Sequence, residues 1–167
     1  MRFFALLTLL LLTACASTSN IPSSGTGFSL DGCTPFLNCV SSTSSVGLYR
    51  VEPIQLSGPL DEPTWDAVKA VATEMPGASL NDSRYGYLDM TFYSDLLGFP
   101  DYFEVLVSED RESLDVRSQS LVGFYDLGVN RRRVERFRHR LVEGGVATAR
   151  RPDSEVHLVF SDCWAVK

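Results

Sequence analysis

Apolar and polar residues alternate along three segments in the middle of the chain, at residues 85–93, 102–107 and 114–122. Alternation with a period of two is typical of β-strands that bury one face and solvate the other, and it favours antiparallel pairing. The short polar link at residues 108–112 suits a hairpin between the second and third segments. The side chains predicted to face the core are Leu88, Met90, Phe92, Phe103, Val105, Val107, Leu114, Val116 and Val122.

Two other segments repeat their apolar residues at three- and four-residue spacing, which predicts amphipathic helices. The first covers residues 63–75 and has Asp61 or Glu62 as its cap. The second covers residues 130–143 and has Asn130 as its cap. The apolar stripes consist of Trp65, Val68, Val71, Ala72 and Met75 in the first helix and of Val134, Phe137 and Leu141 in the second.

Residues 48–56 and 155–160 alternate more loosely and complete the predicted elements as a first and a last strand. The order along the chain is then β-α-β-β-β-α-β. This order predicts an α+β fold in which an antiparallel sheet is covered on one face by two helices. Residues 48–167 form one predicted domain of about 120 residues, which is long enough to bury a single core.

The first 14 residues have the character of a secretion signal. A basic start at Met1-Arg2 precedes an apolar run over residues 3–12, which is too short to span a bilayer. The sequence Leu12-Thr13-Ala14-Cys15 resembles the lipobox of bacterial lipoproteins, in which the cysteine is acylated and becomes the new N-terminus. An ordinary secretion signal that is cleaved nearby is the alternative. The resemblance implies export and a lipid anchor on Cys15. Ala16 after the cysteine implies the outer membrane, with the domain in the periplasm.

Residues 15–27 are rich in Ser, Thr, Gly and Pro and are predicted to be a flexible tether, which leads into a cysteine-containing loop at residues 28–47. Without Arg2 the chain has 14 basic and 21 acidic residues, a net charge of −7, which disfavours nucleic acid as a partner. The charge is uneven, because residues 127–151 hold eight arginines and only two glutamates. The predicted partners are the membrane, through the anchor, and anionic envelope components or another envelope protein.

Three cysteines remain once Cys15 is acylated, and an exported protein meets an oxidising compartment. Cys33 and Cys39 are close enough in sequence to close a small loop, whereas pairing of Cys163 with one of them is the alternative. Zinc-ligand spacing, phosphate-binding loops and dinucleotide fingerprints do not occur in the sequence. We therefore expect neither a metal nor a cofactor.

Four segments form a further pattern, and the longest begins with Arg117-Ser118-Gln119-Ser120. It continues through Gly123 to Asp126-Leu127-Gly128-Val129-Asn130-Arg131-Arg132-Arg133-Val134-Glu135. The others are Asn38-Cys39-Val40-Ser41-Ser42, Trp65 at the start of the first helix, and Phe99-Pro100-Asp101-Tyr102-Phe103-Glu104-Val105. The pattern resembles the domain-of-unknown-function 1499 family over roughly residues 33–142, from which Tyr102 and Leu121 depart. That resemblance implies an architecture but no settled activity.

The three central strands also present a polar face opposite the apolar one. Tyrosines beside carboxylates and an arginine make an amphipathic surface of the kind that binds sugar rings, peptides or protein partners. An ordinary solvated face, with a cross-strand pair between Glu104 and Arg117, is the alternative. The binding candidates on these strands are Tyr87, Asp89, Tyr93, Asp101, Glu104 and Arg117.

Ser118 and Ser120 fall on the apolar side of the third strand, where buried hydroxyls need hydrogen-bond partners. We interpret them, together with Asp126 and Asn130, as structural groups that fix the turn into the second helix. The alternative is a polar pocket in which backbone N–H groups and Arg131 hold an anion.

The second helix carries an unusual number of arginines, at positions 131, 132, 133, 136, 138 and 140. One interpretation is a solvated face with internal partners, such as Glu135 with Arg131. The other is contact with anionic head groups or acidic cell-wall polymers, for which Arg131, Arg132 and Arg133 are the candidates.

These features favour a non-enzymatic lipoprotein of the cell envelope that binds a partner or ligand. A cell-wall hydrolase that uses Asp89 or Glu104 is one alternative, since paired carboxylates hydrolyse glycosides. A thiol enzyme that uses Cys163 is another. A third is a carrier that holds a small apolar ligand between the sheet and the helices.

Overall fold

The computed structural model describes residues 29–33, 35–94 and 98–149. The predicted signal peptide, Cys15, most of the tether, the last predicted strand and Cys163 lie outside these residues. No helix within the described ranges is long and apolar enough to cross a membrane.

Six strands and two helices make up the described part of the chain. The helices are α1 (Glu62–Thr73) and α2 (Val129–Glu143). The strands are β1 (Cys39–Ser41), β2 (Ile54–Gln55), β3 (Ala78–Arg84), β4 (Tyr87–Tyr93), β5 (Pro100–Val107) and β6 (Ser113–Ser120).

All six strands belong to one antiparallel sheet, in the order β1-β6-β5-β4-β3 with β2 also paired to β6. The long strands β3 to β6 are consecutive along the chain and each pairs with the next, so most neighbours in the sheet are also neighbours in sequence. The α+β class and the antiparallel sheet are therefore confirmed.

The strand order differs from the prediction at three places. The cysteine loop contains β1, and a strand that the apolar pattern does not indicate, β3, follows α1. The predicted strand at residues 48–56 shrinks to the two residues of β2. β3 has little apolar character and is largely exposed, because an edge strand is held by backbone hydrogen bonds to one neighbour and need not bury a side-chain face.

The core lies between one face of the sheet and both helices. Phe103 at the centre of β5 stacks edge-on against Phe92 of β4, with ring centroids 5.7 Å apart, and against Phe137 of α2 at 5.2 Å. Trp65 and Val68 of α1 belong to the same buried cluster. The predicted stripes of both helices thus lie in the core, with Val71 partly buried at its edge.

The start of α1 is also as predicted. The Asp61 carboxylate accepts a hydrogen bond from the backbone N–H of Thr64 at 2.9 Å, and Pro63 lies in the first turn. This contact satisfies one of the N–H groups that a helix leaves without a partner at its start.

Candidate functional site

A buried polar network joins the end of β6 to the start of α2. Asn130 is fully buried, and its side-chain amide donates to the backbone oxygen of Asn38 and to the Ser120 hydroxyl, each at 2.9 Å. Its carbonyl oxygen accepts from the Ser118 hydroxyl at 2.7 Å. The interpretation of these serines as structural groups is supported, because their hydroxyls are satisfied within the fold.

Two charged residues extend this network. The Arg133 guanidinium donates to the Ser118 hydroxyl at 2.8 Å and forms a buried ion pair with Asp101 of β5. Its Cζ atom also lies 4.8 Å from the centroid of the Phe92 ring, a cation–π contact. Arg133 and Asp101 therefore hold α2 against the sheet, and neither is presented to a partner at the surface.

Asp126 satisfies the start of α2. One of its carboxylate oxygens accepts from the Gly128 N–H and the other from the Asn130 N–H, each at 2.8 Å. The prediction of Asn130 as the cap is therefore wrong: the cap position is Gly128, and Asn130 lies inside the helix. Because a carboxylate of the protein already occupies these N–H groups, the anion-pocket alternative loses its donors.

The centre of the polar face is buried, so the predictions of an exposed binding face and of an ordinary solvated face are both wrong there. Asp89, Glu104 and Arg117 lie directly opposite one another on β4, β5 and β6, and all three have less than a tenth of their surface exposed. Leu30 packs against this face beside Tyr87. Asp89, Glu104 and Arg117 therefore form a buried polar row on the side of the sheet opposite the apolar core.

The predicted cross-strand pair does form, but as a buried salt bridge. Arg117 donates to Glu104 at 2.8 Å, and the Tyr87 hydroxyl donates to the other oxygen of the same carboxylate at 3.0 Å. Arg117 also donates to the side chain of Gln119. Removing one partner of such a pair is costly, because the other charge stays buried. A hydrolase that uses Glu104 and Asp89 is disfavoured, since both carboxylates are closed off from a polymeric substrate.

The pKa of Asp89 is raised above its ordinary value. Burial is the largest cause; a hydrogen bond donated by Asn81 opposes it, and the negative charges of Glu104 and Asp82 raise the pKa further. In the register of the sheet, Asp82 and Glu104 flank Asp89 on either side. The row thus holds three carboxylates beside a single arginine.

Exposed apolar side chains gather around one cavity. They come from two neighbouring loops, at residues 35–38 and 121–129, and from the segment after β1 at residues 42–53. Four of these side chains are more than half exposed: Leu48 at 73%, Leu127 at 71%, Tyr125 at 64% and Phe124 at 61%. We call this area the loop surface and define it by Leu37, Val46, Leu48, Val122, Phe124, Tyr125, Leu127 and Val129. Val122 was predicted to face the core, but β6 ends before it and the residue is exposed.

Specific contacts hold the two loops together. Leu37 forms a parallel bridge with Tyr125, and the rings of Phe36 and Phe124 meet edge-on with centroids 4.9 Å apart. The Asn38 side chain donates to the backbone oxygen of Gly123 at 2.6 Å. These contacts fix the two loops relative to each other, so the arrangement of the loop surface is part of the fold.

A half-open cavity of about 250 Å³ opens within the loop surface. Arg131 lines it, but its guanidinium donates to the backbone oxygens of Leu48 and Arg50, each at 2.9 Å. The remaining lining residues are Leu37, Cys39, Val40, Leu48, Tyr49, Tyr125, Asp126, Leu127 and Gly128. Asp126 is occupied as a cap and Cys39 is oxidised, so this lining suits the binding of an apolar group rather than catalysis.

Leu127 has an unfavourable conformation as well as an exposed side chain. Its φ is 55°, in the left-handed region that residues other than glycine and asparagine avoid. The side chain gains little burial in return. The backbone strain costs stability that burial of the side chain does not offset, which indicates a role outside the fold.

Most arginines of α2 are engaged within the protein. Arg138 is buried, donates to the backbone oxygens of Glu52 and Pro53, and pairs with Glu135 at 3.1 Å. The predicted pairing of Glu135 with Arg131 is therefore wrong. Arg140 donates to the backbone oxygen of Glu74. The exposed arginines of the helix are Arg132 and Arg136, and Arg132 also donates to the backbone oxygen of Leu127.

Cys33 and Cys39 form a disulfide, which confirms the first of the two predicted pairings. The bond closes the loop that leads into β1 and ends in the wall of the cavity, because Cys39 lines it. Tyr93, at the end of β4, is exposed and remote in sequence from both loops.

Two residues that matter here were not identified as candidates from the sequence. Asn38 was part of a recognised motif, but its contact with Asn130 depends on a separation of 92 residues. Leu127 lay inside another motif, where the left-handed Gly128 beside it was the only local signal of an unusual turn.

A family model described as "Protein of unknown function (DUF1499)" matches residues 29–141, which is more than half of the chain. The matched range includes Asn38, Ser118 and Asn130, the residues that meet in the buried network. No curated protein and no solved structure matches the chain.

We predict that Asn130→Ala lowers the free energy of unfolding by roughly 2–4 kcal/mol, because it leaves two buried hydroxyls and a buried carbonyl short of partners. Urea unfolding followed by circular dichroism measures the change. Gln55→Ala is the control, since Gln55 also carries an amide but is exposed. An Asn130→Ala variant no less stable than the control would contradict the network's importance.

We also predict that burial of Asp89 makes stability depend on pH. The folded chain binds a proton more tightly than the unfolded one, whose pKa is near 3.8, so the free energy of unfolding falls as pH rises from that value through the higher folded pKa. Asp89→Asn removes this decline and is more stable than the wild type at neutral pH. Unfolding at a series of pH values tests it, with the exposed Glu109→Gln as control. Parallel pH profiles for the wild type and Asp89→Asn would refute it.

Proposed function

Because this chain belongs to the DUF1499 family, whose description assigns no activity, we propose its function from its own residues. It is a lipid-anchored protein of the cell envelope, attached through Cys15, whose domain is a non-enzymatic binding module. The surface that binds is the loop surface around the cavity at the start of α2.

The exposed apolar loop surface is the observation that carries this proposal. Soluble proteins rarely keep large contiguous apolar patches in water, and such patches mark sites of contact with proteins, ligands or membranes. Eight of the twelve exposed large apolar residues in the described ranges lie in the segments that form the loop surface, and four of them line one cavity: Leu37, Leu48, Tyr125 and Leu127. Binding through this surface would bury these apolar side chains and so account for their exposure in the isolated domain.

The lining of the cavity supports binding over catalysis. Its one carboxylate caps α2, its cysteine is in a disulfide, and its arginine donates to two backbone oxygens. This cavity opens at the surface, so it is not the enclosed apolar chamber that a carrier of a small ligand would need.

The anchor is supported by the sequence before the domain. A short basic start, an apolar run and Leu12-Thr13-Ala14-Cys15 together fit an acylated N-terminus, and Ala16 favours the outer membrane with the domain on its periplasmic side. The disulfide agrees with an oxidising compartment. Acyl chains on the first residue make the attachment effectively permanent.

The anchor predicts that the mature chain begins at Cys15 and carries acyl chains. In a bacterial host, Cys15→Ser abolishes incorporation of labelled fatty acid and leaves an unprocessed precursor, as shown by mass spectrometry of the N-terminus. Cys163→Ser is the matched control and keeps the label. A wild-type chain that retains Met1 without an acyl group would contradict the anchor.

The binding role predicts that the loop surface is occupied in cells. A photoreactive benzoylphenylalanine in place of Tyr125 gives a discrete adduct with an envelope component, protein or lipid. The same residue in place of Tyr93 gives only background. Both tyrosines are more than half exposed, at 64% and 53%, so the comparison is matched for access. Equal adduct yields at the two positions would argue against a binding role for the loop surface.

A further inference from the structure

We propose that the partner of the loop surface is the anionic lipid surface of the membrane that carries the anchor. The apolar side chains of the two loops enter the interface, and arginines of α2 contact lipid phosphates. This inference rests on the proposed function, since it assumes the lipid anchor, and it names the occupant of the same surface.

The shape of the loop surface fits a bilayer interface. Leu48 and Leu127, from different loops, are each about seven-tenths exposed, and Phe124 and Tyr125 lie beside them in sequence. Large apolar and aromatic side chains on one side of a domain are what an interfacial binding surface presents. The bridge between Leu37 and Tyr125 keeps the two loops together, so the side chains enter the interface as one unit.

Charge beside the loop surface complements anionic lipid. Arg132 and Arg136 are exposed and lie one turn apart on the same side of α2, directly after the second loop. Arg131 lies next to them in the wall of the cavity. The nearest carboxylate in that loop, Asp126, faces inward to its hydrogen bonds with Gly128 and Asn130. The edge of the loop surface therefore presents positive charge towards lipid phosphates.

The tether keeps the domain close to the bilayer. The composition of residues 15–27 predicts a tether, and a flexible coil of that length spans on average about 20 Å. At this distance even a weak contact is populated, because the tether makes the docking step intramolecular. The Cys33–Cys39 disulfide also ties the chain that arrives from the tether to the cavity wall.

Leu127 provides the most direct indication. An exposed leucine with φ of 55° costs stability in the isolated domain, and its conformation points to a contact made outside the fold. Insertion into the interface buries this side chain and supplies that contact. Replacing Leu127 should therefore stabilise the domain and weaken its docking to the bilayer, so the two effects have opposite signs and can be measured separately.

The test uses the acylated mature protein reconstituted into vesicles of phosphatidylethanolamine, with or without phosphatidylglycerol, in the absence of other proteins. Benzoylphenylalanine replaces Tyr125 or, as the matched control, Tyr93, and protein–lipid adducts are quantified by mass spectrometry. Acylation is verified in the same spectra. Absence of acyl chains would defeat the proposed function, whereas acylated protein without lipid adducts at position 125 would defeat only this inference.

Two variants sharpen the result. Arg132→Gln combined with Arg136→Gln lowers the docking equilibrium by at least roughly tenfold in vesicles with phosphatidylglycerol, since each arginine near an anionic surface is worth about fivefold. Leu127→Asn lowers it about tenfold through lost apolar burial, and it raises the midpoint of thermal unfolding by roughly 4 °C through relief of the left-handed leucine. Lower docking with higher thermal stability excludes misfolding as the cause.

The outcomes that overturn the inference are equally specific. Equal lipid adducts at positions 125 and 93 show that the bilayer is not the partner of the loop surface. Yields at position 125 that do not respond to phosphatidylglycerol contradict the contact of the arginines with anionic lipid. A protein adduct at position 125 in cells, together with no lipid adduct in vesicles, assigns the loop surface to a protein partner instead. An adduct yield that Leu127→Asn leaves unchanged also contradicts the insertion of the second loop.

Discussion

One buried amide holds together three parts of this fold that are distant in sequence. The Asn130 side chain bonds the backbone before β1, the end of β6 and the Asp126 side chain at the start of α2. Each of these groups is backbone or short side chain, so the amide allows little freedom in their positions. The two loops that expose apolar side chains both emerge from this point, and their relative placement depends on it.

The sheet is unusual for an antiparallel one because both faces are buried at its centre. One face carries charged side chains, and the other carries apolar ones. The charged face fixes the register, since a shift by one residue would drive Arg117 and Glu104 into the apolar core. A buried ion pair is weak evidence for stability, because desolvation offsets much of the attraction. Its value here is specificity: it permits one alignment of β5 with β6.

The sequence predicted the regular parts of the fold and missed those set by long-range contact. Alternation identified β4, β5 and β6, and helical spacing identified α1 and α2, because each pattern reports which local side chains meet the core. β3 was missed since an edge strand needs no apolar face. The burial of Asp89 could not be foreseen, because alternation separates two faces without saying whether the second one is covered. At the candidate site, the serines and Asn130 were identified, but the loop surface was not, as exposure is a property of the assembled chain.

The disulfide also has a mechanical meaning. Any tension in the chain ahead of residue 33 passes through the sulfur–sulfur bond to Cys39 and from there into β1, whose hydrogen bonds to β6 run side by side along the sheet. The stretch from residue 35 to 38 is bypassed, so Leu37 and Asn38 keep their contacts while load is borne elsewhere. In a domain anchored through its N-terminus, force on the anchoring segment would therefore not unfold residues 35–38 first.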